Sequence, residues 1–448
     1  MTAAPATAPR PAERAARRGP VLDDSIGLVT RGYDLGAHVW RRVREGGRAA
    51  PMRMLGRRAL FVRGAEGVAL FYDDSSIRRH GAMPAPVQET LFGHGSVHSL
   101  DGDEHRHRKA AFVGTLYDDD EVERLLPLLE REWRHEGDAW LGGGDRSAYD
   151  AAVGALGRAV IRWAGIPGTP AAQTRWAVRQ AQIVDGFAAP YSPVFLAAQL
   201  NRWWSDRHAT RLIEAVRDGR LDPAAGTALR VWAEHRDRDG RLLPAKLAGV
   251  ELQNSFRPMI AVARFVAYAA RELHDRPEWR ERIAAETAAR GSLVNGPLAT
   301  AFAQEIRRTA LFVPLLPGWA VRDLELDGER VPEGGRVVLD ILGTNTDARS
   351  WDRPEEFDPE RFVGVDDYEA LAAFIPHGGG DVARGHRCPG EKLAIAGLAA
   401  AVATLSDPRL TILDRGLEVN RRRLPTMPAS GGRVRSADAE PRGRCPFH

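Results

Sequence analysis

Near its C-terminus the chain reads Phe374-Ile375-Pro376-His377-Gly378-Gly379-Gly380-Asp381-Val382-Ala383-Arg384-Gly385-His386-Arg387-Cys388-Pro389-Gly390-Glu391. A glycine-rich loop here delivers one cysteine to the start of a long apolar run that reads as a helix. Pro389 suits the first turn of such a helix, where its missing N–H would have no partner in any case. The helix N-terminus and the loop amides favour thiolate over thiol. His386 and Arg387 add positive charge beside the sulfur. A thiolate in this setting can bind a soft metal or act as a nucleophile, and a buried structural cysteine in a capping loop is the plainer alternative. One Cys without a companion Cys or His at zinc spacing argues against zinc. The loop fits the proximal ligand of a heme iron, where thiolate pushes electron density toward O–O cleavage.

The rest of the composition sets bounds. A chain of 448 residues can bury a large core, as one big domain or as two to three small ones. A formal net charge of +3 is too small and too mixed to point to nucleic acid. Two cysteines, Cys388 and Cys445, exclude a disulfide scaffold and favour a reducing cytoplasm. No stretch approaches the roughly 20 apolar residues of a spanning helix, so no membrane anchor is expected.

Residues 1–20 are rich in Ala, Pro and Arg and read as a disordered leader. The periodicity predicts a helix over 24–48, a β-hairpin over 53–63 around a glycine turn, and a short helix over 65–72. His105-Arg106-His107-Arg108-Lys109 stands at a predicted helix start, where cations oppose the helix dipole. Anions close by, such as two heme propionates, would resolve that conflict; a solvated basic face is the alternative. Residues 119–240 read as all-helical, over 121–141, 150–164, a proline-interrupted stretch to 200, and a run through Trp203, Trp204, Leu212 and Val216. Their tryptophans read as core. Residues 321–342 alternate with glycine turns and read as a small β region. Residues 429–448 are polar and read as a mobile tail. Arg444-Cys445-Pro446 lies there, and Cys445 is expected to be an exposed thiol.

Residues 243–273 form the longest helical pattern. Pro258 inside it removes one backbone hydrogen bond and predicts a kink. Arg257, beside it, sits on an otherwise apolar surface, where a guanidinium is costly unless an anion pairs with it. A buried salt bridge to another helix and a snorkelling side chain are the structural alternatives. Glu305-Ile306-Arg307-Arg308 places a Glu and an Arg three apart on one helix face, a common pattern when taken alone.

With Gly385, Arg387, Cys388 and Gly390, the cysteine loop resembles that of the cytochrome P-450 superfamily. It departs from the usual pattern at Asp381, where most members carry Phe. The Pro-His-Gly-Gly-Gly-Asp run and Arg257-Pro258 instead resemble the branch that uses hydrogen peroxide directly, the fatty-acid peroxygenases. The acid–Thr pair of the monooxygenases is replaced by Phe256-Arg257-Pro258. The resemblance covers roughly residues 22–425. It implies a mainly α fold with a small β region, in a single heme-thiolate catalytic domain over 21–428. It implies heme b with Cys388 as the iron ligand, and Arg79, Lys109, His105 and His386 as heme-binding residues. Glu305, Arg308 and Arg361 would form an ion network that holds the cysteine loop. Arg257 would bind a fatty-acid carboxylate, which acts as general acid–base on hydrogen peroxide, with Pro258 and His98 beside it and Phe92 and Phe312 on the acyl channel. Oxidation at the α or β carbon would give a hydroxy acid, and loss of carbon dioxide a terminal alkene. His98 stands where alkene-forming members commonly carry His. No redox partner is then required. A reductase-dependent monooxygenase of the same fold and a non-enzymatic heme sensor or carrier are the rival readings. Chain length, regiochemistry and oligomeric state are not legible.

Overall fold

A computed structural model of the chain describes residues 23–189 and 192–438. The leader over 1–20 and Cys445 lie outside the described residues. Helices dominate, and a five-stranded sheet lies to one side of them. The predicted hairpin is formed by strands Ala49–Met54 and Arg57–Val62, paired from Ala49 with Val62 to Met54 with Arg57. Leu55 and Gly56 between them both take positive φ, 51° and 75°. Two left-handed residues in succession give the turn whose twist matches that of the strands. The second strand pairs in parallel with Arg336–Asp340, which pairs antiparallel with Leu315–Ala320 and so draws in the 321–342 region as predicted.

The helix predicted over 24–48 ends at Trp40 and is broken by a single 3₁₀ turn at Gly32–Asp34. Ile26 and Val29 in its first part are exposed. The short helix runs Gly64–Phe71. Over 119–240 the described residues form helices Asp119–Leu141, Ala148–Trp163, Pro170–Gly186, Pro193–Arg217 and Ala228–Glu234, joined by loops and by the two-residue strand Arg146–Ser147. That strand pairs with Arg433–Ser436, which also pairs with Leu410–Ile412. Residues 433–436, assigned by sequence to a mobile tail, are thus held in a sheet. Val434 supplies the reason: it is an apolar residue that this sheet buries completely.

The long helical pattern divides into Ala245–Ala261 and Ala263–Asp275. Helical structure continues through Pro258 and is interrupted at Val262, four residues later, where the Val262 N–H turns to the Met259 carbonyl at 3.3 Å. The cysteine helix runs Glu391–Leu405, so Pro389 precedes its first turn and Gly390 is the capping residue. Every residue of that helix but Lys392 is buried, which makes it the centre of the largest core cluster.

Two ion networks tie the cysteine loop to this core. Arg308 donates from Nε and Nη2 to the two carboxylate oxygens of Glu305, each at 2.7 Å, with both side chains fully buried. Arg361 Nε lies 3.6 Å from the same carboxylate. Arg308 also donates to the carbonyls of Asn345, Pro354 and Glu356. Arg307 and Arg387 meet on Glu391 in the second network. Removing one partner of a buried pair strands the other. Arg308→Ala should therefore lower stability by about 3–5 kcal/mol in denaturant unfolding, and Arg282→Ala, whose partner Glu360 is exposed, by under about 1 kcal/mol.

Candidate active site: a cavity-lining cysteine and a buried arginine

The cysteine loop, the interrupted helix and the helix Gly102–Leu116 enclose one cavity of about 270 Å³. Cys388, Pro389, Gly390 and Leu393 form one wall, and Pro258, Met259, Val262 and Phe265 another. The glycine run lies against Tyr72. Gly378 has φ 92°, and a Cβ there would meet the Tyr72 hydroxyl at 2.9 Å, so only glycine lets the loop pack this closely. Cys388 N–H donates to the His377 carbonyl at 3.1 Å. Lys109 Nζ donates to the carbonyl of Arg387.

Burial pushes the Cys388 thiol up, and nearby Lys109 only partly offsets this. The expected preference for thiolate is therefore not met by the chain alone, because desolvation outweighs the loop amides. His386 adds no charge either. Its ring stacks on His105 with centroids 3.9 Å apart, and burial lowers the pKa of both, that of His105 to about 3. Arg387 spends its charge on Glu391, 2.8 Å away. An additional cation is needed to hold a thiolate here.

The basic run behaves differently from its reading in sequence. The helix begins at Gly102, with Asp103 and Glu104 in its first turn, so no dipole conflict exists. Arg106 and His107 are exposed, while His105, Arg108 and Lys109 are buried. His105, Lys109 and Arg79 line the cavity together with His98, Phe92 and Phe312. His98 stacks on Phe92 with centroids 3.8 Å apart; its side chain is open to the cavity, and desolvation by the surrounding protein lowers its pKa below the ordinary histidine value.

Arg257 does not line the cavity. Its neighbours Asn254, Ser255 and Pro258 do. The guanidinium is buried and bonded on every nitrogen: Nε donates to Gln180 Oε1 at 2.6 Å, Nη2 to Gln253 Oε1 at 3.1 Å, and Nη1 to Asn254 Oδ1 at 3.0 Å and to the Leu91 carbonyl. All four acceptors are neutral, so the expected alternative of a buried salt bridge is absent among the described residues. Burial, and then the charge of Arg202, make the positive charge of Arg257 costly. Gln253 and Asn254, at i−4 and i−3 from Arg257, were detectable from helical spacing. Gln180 comes from another helix and left no signal in the sequence. Glu251, one turn further back, accepts from Val97 N–H at 2.8 Å and from Asn254 at 3.0 Å. It thereby fixes the turn that carries His98.

A family model described as Cytochrome P450 matches residues 272–405. Cytochrome P450SP alpha (CYP152B1), solved in complex with (R)-ibuprophen, is 35% identical, with a TM-score of 0.83 over 92% of this chain and 98% of that one. The chain belongs to the cytochrome P450 superfamily, in its fatty-acid peroxygenase branch. A variant of cytochrome P450 OleT in complex with arachidonic acid is 28% identical, with a TM-score of 0.85 over 94% and 99% of the two chains. Cytochrome P450EX alpha (CYP152N1) with myristic acid is 33% identical, with a TM-score of 0.82 over 93% and 97%. The chain spans 27% or less of the length of the first curated relatives it matches.

Membership of the P450 superfamily implies a heme iron with a cysteine thiolate ligand, and the residues at the cavity fit it. The iron would be the cation that Cys388 lacks. Arg79 is half-buried at the cavity wall and its buried Nη1 has no hydrogen-bond partner, so it is poised for an anion such as a propionate. Cys388→Ser should accordingly fold but lack the optical signature of thiolate ligation in the ferrous carbon monoxide complex. Arg79→Ala should retain less heme during gel filtration.

Glu251 supplies a pH test. Burial raises its carboxyl from 4.5 to about 6. The folded state then holds a proton that the unfolded state loses between pH 4.5 and 6, so stability falls as pH rises through that window. Glu251→Gln should remove this slope, and the gap between wild type and variant should change by about 2 kcal/mol across it in unfolding titrations.

Proposed function

We propose that the protein is a heme-thiolate peroxygenase that uses hydrogen peroxide to oxidise fatty acids at the α or β carbon, giving hydroxy acids and terminal alkenes. The observation that carries this reading is the buried guanidinium of Arg257. It has only neutral hydrogen-bond acceptors, and it lies one residue from the cavity wall at Pro258. A charge so placed gains most from an incoming carboxylate, through a bidentate, charge-assisted pair in a dry site. The fatty-acid ligands of the related structures agree with this class of substrate.

Heme b, held through Cys388, with Arg79 and Lys109 toward its propionates and the His105–His386 stack beside them, would supply O–O bond cleavage and oxygen delivery. The chain's own residues do the remaining work. Arg257 takes the carboxylate on Nη1 and Nη2 and fixes the acid's head. Gln180 keeps Nε engaged, so the fork is presented in one orientation. Phe92, Phe265 and Phe312 wall the acyl chain and exclude water. The fixed carboxylate takes a proton from one peroxide oxygen and returns it to the other, which leaves as water. This is general acid–base catalysis by a group the substrate brings. His98, stacked on Phe92 at the cavity wall, steers the α and β carbons and can donate a hydrogen bond. A reductase-dependent reaction has no acid–Thr pair to rely on in Phe256-Arg257-Pro258.

Gas chromatography of products from purified holoprotein, hydrogen peroxide and a panel of fatty acids tests the proposal. Products should form without NAD(P)H or a reductase. Arg257→Ala should lose about 2–5 kcal/mol of transition-state stabilisation, roughly 30- to 4000-fold in kcat/KM. A fatty-acid methyl ester should fail comparably with wild type. No oxidised product from any acid overturns the reading.

A further inference from the structure

The helix Pro193–Arg217 has two very different faces. Its inner face serves the arginine site: Gln199 donates to Thr90 Oγ1, and Arg202 Nη1 donates to the Leu91 carbonyl at 3.4 Å. Its outer face carries Leu196, Leu200 and Trp203, spaced by four and three residues and therefore in one line along the helix. They are 63%, 70% and 59% exposed. Single exposed apolar residues are ordinary, but an aligned stripe with a tryptophan marks an interaction surface. Trp203 was expected in the core, and its helical register excludes it.

The stripe continues into positive charge. Arg207 lies one turn beyond Trp203, with its guanidinium 4.6 Å from the Trp203 ring centroid, and Arg211 follows a turn later. Arg175 is exposed on the adjoining helix Pro170–Gly186, with Val178 also exposed there. None of these three arginines makes an ion pair among the described residues. The carboxylate of Asp206 is spent on Arg202 and Gln253. The one exposed acid that follows along the helix is Glu214.

We propose that this face docks the protein reversibly onto an anionic lipid surface. Leucine and tryptophan side chains suit the boundary between headgroups and acyl chains. Unpaired arginines beside them are drawn to negatively charged headgroups. A second copy of the chain is a poorer occupant, because an isologous contact would set these arginines against their own copies with few acids to meet them. No helix among the described residues is long and apolar enough to cross a membrane, so attachment here is peripheral. The surface stands on its own geometry and does not depend on the reaction proposed above.

Sedimentation of the full-length holoprotein with phosphatidylcholine vesicles, with and without phosphatidylglycerol, tests this. Partition should be at least about ten-fold stronger with phosphatidylglycerol and should weaken with salt. L200S/W203S and R207E/R211E should each lose about ten-fold or more of that partition, with an unchanged unfolding midpoint and unchanged turnover of a water-soluble acid. Equal partition of wild type and both variants, or none to any vesicle, overturns the proposal. Analytical ultracentrifugation covers the remaining outcome: a wild-type dimer that L200S/W203S converts to monomer assigns the face to a second copy and also overturns it.

Discussion

A positive charge buried without a negative one is the constraint around which this molecule is arranged. Arg257 cannot give up its proton, and burial denies it water. Gln180, Gln253, Asn254 and the Leu91 carbonyl replace the lost hydration with four neutral dipoles. Dipoles satisfy the donors and leave the charge in place. Had a glutamate stood at 180 or 253, the pair would be internally closed and a carboxylate ligand would gain little. The choice of amides is therefore itself a statement about ligand class. It also explains why residues from three separate segments converge here, since one helix alone cannot surround a guanidinium.

The opposite side of the cavity has the inverse problem. Cys388 would become an anion in a buried place, and the loop's local dipoles are too weak to hold it so against desolvation. Positional rigidity comes from elsewhere. Arg307, Arg387 and Glu391 lock the start of the cysteine helix, and Glu305, Arg308 and Arg361 lock the segment 345–361 that precedes the loop. Only Arg387 of these side chains reaches the cavity wall. Their cost in desolvation is offset by multiple hydrogen bonds to backbone carbonyls, so they fix geometry without supplying chemistry.

The parts of this plan that were legible from sequence are those with local signals. The cysteine loop announced itself through its glycines, the hairpin through alternation around Leu55-Gly56, and the E-x-x-R pair through helical spacing. Arg257 was legible as an anomaly, an arginine in an apolar helix. Its partners were less so, because Gln180 lies 77 residues away on a helix whose pattern gives no hint of its role. The interruption of the long helix at Val262 left no mark in the sequence, since Val262 itself keeps helical dihedrals. His386 was read as a charge because sequence shows a histidine and not its desolvation. The strand Arg433–Ser436 was missed because a strand of four residues is too short to show an alternation.

The Leu91 carbonyl links these observations on the reading proposed for the site. It accepts from both Arg257 and Arg202, so two guanidiniums hold one short loop segment in place. A ligand that takes Arg257 Nη1 has to displace that carbonyl or Asn254 Oδ1. Stranding a buried acceptor costs about 1–3 kcal/mol. A neutral hydroxyl or ester gains too little from the exchange to recover this, because it replaces one neutral hydrogen bond by another. A carboxylate gains the charge-assisted pair as well and is favoured. Arg202 remains on the Leu91 carbonyl during the exchange, so the segment need not detach, and Phe92 and the stacked His98 beside it keep their places on the cavity wall. Selectivity for acids then follows from the displaced partner as much as from the arginine itself.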